Sequence, residues 1–166
     1  KNRGIKTNKG GDKVEIDKVN PRKNNKYGQI VRWKSKDNNH SSVYFEWDLF
    51  VVAGNPNIHD NRNRGSKNID KENMFNSPDG LKFDKYGRLW IQTDGNYSNS
   101  GDFKGMGNNQ MLIADTNTGK IKRFMVGPKE CEVTGLTFAP DYKTVFVGIQ
   151  HPGEMLGGNF PDNGNN

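Results

Sequence analysis

The sequence predicts an all-β fold, and more narrowly a piece of a β-propeller, from three observations. First, residues 80–83 (Gly-Leu-Lys-Phe), a turn and an apolar strand recur 55 residues later as 135–138 (Gly-Leu-Thr-Phe) with their own turn and strand. Second, no stretch of ten residues shows the apolar period of 3.6 that an amphipathic helix requires. Third, 20 glycines, 7 prolines and 23 asparagines among 166 residues favour many turns between short elements.

Eight strands are predicted, separated by polar loops and turns. The run 43–52 has the clearest alternation, with apolar side chains at every second position from Val43 to Val51. The tight turns at 84–87, 115–119 and 139–143 each join two strands into a hairpin. The predicted strands are 27–33, 43–52, 80–83, 88–93, 110–114, 120–126, 134–138 and 144–149.

One full repeat unit contains four strands, because a further hairpin at 110–126 lies between the two copies of the repeat. Four antiparallel strands over roughly 50 residues are typical of a propeller blade. The chain then holds the outer hairpin of one blade, one complete blade and the inner hairpin of a third, which is fewer than the roughly four blades of the smallest propellers. The predicted organisation is a basic arm over 1–26, a partial propeller over 27–156 and a flexible tail over 157–166.

Charge and composition exclude several classes of function. The net charge is +6, but residues 1–37 hold 12 Lys and Arg against 4 Asp and Glu, whereas the other 129 residues hold 13 against 15. The basic arm lacks the interleaved aromatic and arginine residues of a nucleic-acid reader, so no nucleic-acid partner is predicted. No apolar run approaches the ~20 residues of a membrane span. A single cysteine, Cys131, excludes an internal disulfide framework.

Two acidic residues precede the predicted innermost strands, where successive blades of a propeller approach the central axis. They are Asp79, directly before Gly80, and Glu132, three residues before Gly135. Carboxylates that converge in this way repel each other unless a cation neutralises them, and hard oxygen ligands suit calcium. Asp79 also has an ordinary interpretation as a residue of a Pro-Asp-Gly turn. Adjacent side chains of a strand point to opposite faces, so Cys131 is expected to face the blade interior.

A series of motifs, in order over residues 7–156, resembles the PhoX-type alkaline phosphatases. Each motif alone is weak, whereas the ordered series is specific. The motifs are Asn20-Pro21-Arg22, Tyr27-Gly28-Gln29-Ile30-Val31-Arg32-Trp33, Phe45-Glu46-Trp47-Asp48-Leu49-Phe50, Ser77-Pro78-Asp79-Gly80-Leu81, the run 87–96, Gly107-Asn108-Asn109-Gln110-Met111, Cys131-Glu132-Val133-Thr134-Gly135 and Gln150-His151-Pro152-Gly153-Glu154.

The resemblance implies an exported bacterial enzyme, periplasmic or secreted, that hydrolyses phosphate monoesters with calcium and iron at the mouth of a propeller channel. It implies that Asp79 is a catalytic residue contacting metal or phosphate and that Glu132 is a metal ligand. Asp94 and Asn8 are further candidate metal ligands. The complete protein is expected to be a monomer.

The chain departs from the family pattern in two respects. It resembles only the C-terminal portion of a family member, so the family's iron-binding cysteine and other site residues are expected upstream and the piece alone is expected to be inactive. Cys131 is not expected to replace that cysteine. Gln29 stands where the family leads us to expect histidine.

Two alternative functions remain open at this stage. A calcium-dependent lactonase of the gluconolactonase type also uses a Pro-Asp-Gly-Leu segment followed by a Leu-Trp strand, although the motifs at 131–135 and 150–154 argue against it. A non-enzymatic propeller that serves as an interaction module is the second alternative, and the converging carboxylates argue against that function.

Overall fold

The computed structural model describes residues 16–155, and this part of the chain is built from strands and loops. It contains no α-helix among these residues, only three short 3₁₀ turns, and no helix long and apolar enough to cross a membrane. The all-β prediction is therefore confirmed. The strands are β1 (Gln29–Ser35), β2 (Phe45–Val52), β3 (Pro78–Phe83), β4 (Leu89–Thr93), β5 (Gln110–Ala114), β6 (Ile121–Val126), β7 (Glu132–Phe138) and β8 (Val145–Gln150).

The strands form three antiparallel sheets of two, four and two strands, in the orders β1-β2, β3-β4-β5-β6 and β7-β8. This is the predicted series of an outer hairpin, a complete four-stranded blade and an inner hairpin. All five residues of β4 are buried, because the strand has neighbours on both edges and packed sheets on both faces. The central sheet is thus the blade around which the other two are organised.

The repeated glycines mark a shared irregularity of the two innermost strands. The register of β3 against β4 shifts between Pro78 and Leu81, and that of β7 against β8 shifts between Thr134 and Leu136. A bulge bends a strand and redirects its side chains, which is why such features often lie beside functional sites. Gly135 adopts the left-handed conformation, with φ of 50°, that favours glycine at such a position.

Two apolar cores join the three sheets. The first lies between the β1–β2 hairpin and the central sheet and includes Tyr27, Val51, Phe75 and Ile91. The second lies between the central sheet and β7–β8 and is built around Trp90. Alternate residues of β4 therefore serve opposite cores, because neighbouring side chains of a strand point to opposite faces.

The tryptophans differ in a way that the sequence did not predict. Trp90 packs between two sheets and is 6% exposed. Trp33 and Trp47 form a cross-strand pair on the β1–β2 hairpin but remain 67% and 39% exposed. A register shift beside Ile30 interrupts the alternation, so the predicted apolar face of β2 is buried only near Val51.

The basic arm contains no strand over its described residues, 16–26, yet part of it is a buried piece of the fold. Asn20, Arg22 and Asn25 are 2–3% exposed, so the end of the arm packs into the fold. The Arg22 guanidinium donates to the carbonyl oxygens of Ala53 (2.7 Å) and Gly28 (3.1 Å) and to the Asn25 side chain. These acceptors compensate the cost of burying the charge. The predicted tail, 157–166, lies outside the described residues.

Candidate functional site

Asp79 and Asp94 lie at the same end of the β3–β4 hairpin. Pro78 pairs with Thr93, and the Asp94 backbone N–H donates to the Ser77 carbonyl oxygen at 3.1 Å. Asp79 lies within the irregular part of β3, and it is exposed, whereas Asp94 is half-buried. The hairpin therefore presents two carboxylates beside the beginning of an innermost strand.

Glu132 is the first residue of β7 and pairs with Gln150, the last residue of β8. Its side chain is 14% exposed. Burial raises the pKa of Glu132, and the charges of Asp94 and Asp79 raise it further, while His151 and a hydrogen bond with Thr134 act in the opposite direction. The sign of these effects agrees with the mutual repulsion expected of converging carboxylates.

The electrostatic coupling brings three sequence-predicted residues into one region. Asp79, Asp94 and Glu132 come from two sheets, and the first two carboxylates act on the third. We call these three residues the acidic rim. The repulsion among them indicates a place where a cation would be favoured.

Asn109 connects the two sheets that supply the acidic rim. It is 4% exposed, and its Oδ1 accepts hydrogen bonds from the Thr93 hydroxyl (2.9 Å) and the Gly95 N–H (2.7 Å). Its Nδ2 donates to the carbonyl oxygens of Gly95 (3.2 Å) and Cys131 (2.8 Å). One amide thus ties the chain on both sides of Asp94 to the residue before Glu132. The hydrogen bonds of this one loop residue therefore join two neighbouring sheets.

Replacing Asn109 by alanine is expected to lower the free energy of unfolding by about 3 kcal/mol, because several buried polar groups lose their partners together. Urea unfolding at neutral pH measures this difference. The matched control is Asn117→Ala, at an exposed turn, which should change the stability by less than about 0.5 kcal/mol. Equal effects of the two substitutions would show that the Asn109 bridge contributes nothing specific.

The loop after β4 is fitted closely against the segment before β3. Asn76 Oδ1 accepts from the Asn96 N–H at 2.9 Å, and Asn76 Nδ2 donates to the Asn96 carbonyl oxygen at 3.1 Å. A Cβ on Gly95 would lie 2.1 Å from Asn76 Oδ1, so only glycine fits between them. These contacts fix the backbone on either side of Asp94.

Cys131 lies in the apolar interior beside the central sheet, as the sequence predicted. It is 1% exposed and belongs to the apolar core with Trp90, Met111 and Val133. Burial raises the pKa of its thiol. These surroundings are those of a small apolar residue rather than of a thiolate ligand.

Two other sequence predictions have different outcomes. Asn8 lies outside the described residues, so its role as a metal ligand stays a prediction. Gln29 donates from Nε2 to the Val19 carbonyl oxygen at 2.8 Å and accepts from Asn25, which makes it part of the buried network around Arg22. Its side chain thus has a structural part in the fold.

Other polar side chains lie near residues of the acidic rim. His151 Nε2 lies 3.8 Å from Glu132 Oε2, and His151 Nδ1 lies 3.3 Å from Glu154 Oε2. Gln92, on β4, is 3% exposed, and its Nε2 has no hydrogen-bond partner within residues 16–155. Its Oε1 would lie 2.7 Å from a Cβ on Gly80. A buried amide held against the strand that carries Asp79 could not be found from the local pattern.

The described residues do not by themselves form a complete metal centre. Within 16–155, no group of three or more His, Cys, Asp or Glu side chains is arranged to hold a metal ion. The acidic rim therefore provides carboxylate oxygens in one region without closing a coordination shell.

Successive antiparallel blades, with carboxylates where two innermost strands begin, define a β-propeller protein with an acidic rim. The family model described as "Alkaline phosphatase PhoX" matches residues 5–153. A solved structure, "Pseudomonas fluorescens PhoX in complex with vanadate, a transition state analogue", is 65% identical with a TM-score of 0.85. The chain belongs to the PhoX family of alkaline phosphatases.

The extent of the match differs between the two chains. It covers 86% of this chain but 25% of the P. fluorescens chain, so the present chain spans about a quarter of the length of that relative. No curated protein matches the chain.

Proposed function

We propose that this chain is part of a longer, metal-dependent PhoX phosphatase that hydrolyses phosphate monoesters at the acidic rim. The observation that carries the proposal is the Asn109 bridge, which joins the chain beside Asp94 to the residue before Glu132, while the Asp94 N–H bonds to the Ser77 carbonyl oxygen near Asp79. Membership of an alkaline phosphatase family and similarity to a protein solved with vanadate support the chemistry.

The donors of the acidic rim suit the proposed metals in kind but not in number. Carboxylate oxygens are hard ligands of the type that calcium takes, and calcium accepts six to eight of them. The rim offers three such side chains, and no complete metal-binding group lies within residues 16–155. We infer that Asp79, Asp94 and Glu132 contribute to calcium and iron sites whose remaining ligands, Asn8 among the candidates, lie elsewhere.

The chain's own residues have separable roles in this proposal. When bound, the metals would supply positive charge for the phosphoryl oxygens. Asp79, exposed at the irregular start of β3, is the residue placed to contact the metals or the phosphate. Glu132, largely buried and coupled to two other carboxylates, is suited to hold a cation. Asn109 joins Gly95, the residue after Asp94, to Cys131, the residue before Glu132.

The test is phosphatase activity of the full-length protein on p-nitrophenyl phosphate, with calcium and iron contents measured in parallel. We expect chelation to abolish hydrolysis, added calcium and iron to restore it, and vanadate to inhibit it. The isolated 166-residue chain should be inactive, because it supplies only part of the ligand shell. Hydrolysis that persists after complete removal of metal would overturn the metal-dependent function.

A lactone assay distinguishes the phosphatase from the alternative function, a calcium-dependent lactonase. A lactonase would open gluconolactone faster than it cleaves the phosphate ester.

We also infer that the full-length protein is a monomer exported to the periplasm or secreted. Only the family resemblance supports these two points, and cell fractionation with gel filtration tests them.

A further inference from the structure

Glu130 is a buried carboxylate to which the proposed function assigns no part. Its side chain is 7% exposed, although it lies in the loop between β6 and β7. Its backbone is in the left-handed region, with φ of 62°, which is uncommon for a residue other than glycine. A buried carboxylate in a strained loop conformation needs compensating contacts, and these identify what it does.

The contacts of this loop hold the segment 151–155 against it. Glu130 Oε2 accepts a hydrogen bond from the Met155 N–H at 3.0 Å. The Lys129 carbonyl oxygen accepts one from the Gly153 N–H at 3.0 Å. We call these two bonds the loop clamp. Hydrogen bonds to a charged acceptor are about twice as strong as those between neutral groups, so the Glu130 bond is the stronger part of the clamp.

The clamp fixes the position of His151 relative to the acidic rim. His151 begins the clamped segment, directly after the last residue of β8, and its ring lies between two carboxylates. Nε2 is 3.8 Å from Glu132 Oε2, and Nδ1 is 3.3 Å from Glu154 Oε2. The ring therefore borders the Glu132 carboxylate on one side. The negative charges of Asp79 and Asp94 raise the pKa of the same carboxylate.

We propose that Glu130 is a positioning residue of the acidic rim, which acts through the Met155 N–H and the segment 151–155 to keep His151 beside Glu132. This role rests on the proposed function. A carboxylate ligand binds metal best when neighbouring groups hold its orientation, and loss of such supporting partners weakens metal binding by about 10-fold to 100-fold. Glu130 supplies that support without contacting the metal or the substrate.

The experiment breaks the clamp from both sides in the full-length protein. Glu130→Ala removes the acceptor, whereas Glu130→Gln keeps an oxygen that can accept from Met155. Met155→Pro removes the donating N–H, and Met155→Ala is its matched control. Glu72→Ala, at an exposed site, controls for the loss of a carboxylate. Calcium affinity is measured by titrating calcium into protein from which a chelator has removed the metal. Exchange of the Met155 amide hydrogen is followed in the variants that keep this N–H.

We expect Glu130→Ala to weaken calcium binding by about 10-fold and to accelerate exchange of the Met155 amide by a similar factor. Met155→Pro should weaken calcium binding equally. Glu130→Gln, Met155→Ala and Glu72→Ala should bind calcium within about twofold of the unaltered protein. If Glu130→Ala fails to fold, the Met155→Pro and Met155→Ala pair decides the question by itself.

The opposite results are distinguishable. Unchanged calcium affinity in Glu130→Ala and Met155→Pro, with lower thermal stability alone, would show that the clamp is merely structural and would overturn this role. An unaltered protein that neither binds calcium nor hydrolyses the ester would overturn the proposed function and the role together. Active unaltered protein with unaffected clamp variants overturns only the role of Glu130.

Discussion

Asp79→Asn in the full-length protein is expected to remove most of the phosphatase activity, by roughly 100-fold or more, while the protein remains folded. Asparagine has the same shape and fits the exposed, irregular part of β3, but it lacks the negative charge that binds a metal ion. Substitution of a residue that only supports a metal ligand lowers metal affinity or activity by about 10-fold to 100-fold. Substitution of a residue in direct contact should lower activity by at least as much. Initial rates on p-nitrophenyl phosphate measure the effect.

The matched control is Asp141→Asn. Asp141 lies in the turn between β7 and β8, where it accepts a hydrogen bond from the Lys143 N–H at 3.0 Å, and asparagine can accept the same bond. The control should retain full activity. Because both sites are exposed, the free energy of unfolding of each variant should lie within about 0.5 kcal/mol of that of the unaltered protein. Full activity of Asp79→Asn would show that the Asp79 carboxylate has no part in catalysis.

Much of the architecture could be predicted because the chain repeats itself. The matching segments at 80–83 and 135–138 identified two innermost strands, and β5 was predicted with its observed bounds, Gln110–Ala114. The starts of β3 and β7 were each placed two residues late. Both strands begin pairing before the repeated glycine, on the far side of a register shift, and alternation patterns do not show such shifts.

Burial was harder to predict than strand position. The patterns of Trp33 and Trp90 are alike in the sequence, yet one is exposed and the other lies in a core. Alternation shows that a strand has two faces but does not show which face another sheet covers. Only the packing of the central sheet against β7–β8 gives Trp90 its partners.

The polar residues that organise the candidate site depend on contacts distant in the sequence. Arg22 donates to a carbonyl oxygen 31 residues away, and Asn109 donates to one 22 residues away. From the neighbouring sequence alone, both are predicted to be ordinary loop residues. Asp79 and Glu132 could be proposed as candidates because each lies just before a repeated segment of the sequence. Glu130 became a candidate only through its contact with the segment 151–155.

Glu132→Gln in the full-length protein is expected to weaken metal binding by about 10-fold or more, with activity falling as a consequence. Glutamine preserves the size of the side chain and one oxygen, but it removes the charge that would bind a cation. The same change removes the repulsion with Asp79 and Asp94, so the metal-free protein should be at least as stable as before. The loss of metal binding is measured as the calcium and iron contents after dialysis. Titration of calcium into protein from which a chelator has removed the metal gives the change in affinity.

Excess metal distinguishes the two substitutions of the acidic rim. Because Glu132→Gln impairs binding first, a high calcium concentration should restore much of its activity, whereas Asp79→Asn should stay inactive at the same concentration. Glu46→Gln, at an exposed residue of β2 that pairs with Lys34, is the matched control and should keep both metal and activity. Unchanged metal content in Glu132→Gln would remove this residue from the metal site, and its raised pKa would then reflect burial beside other carboxylates alone.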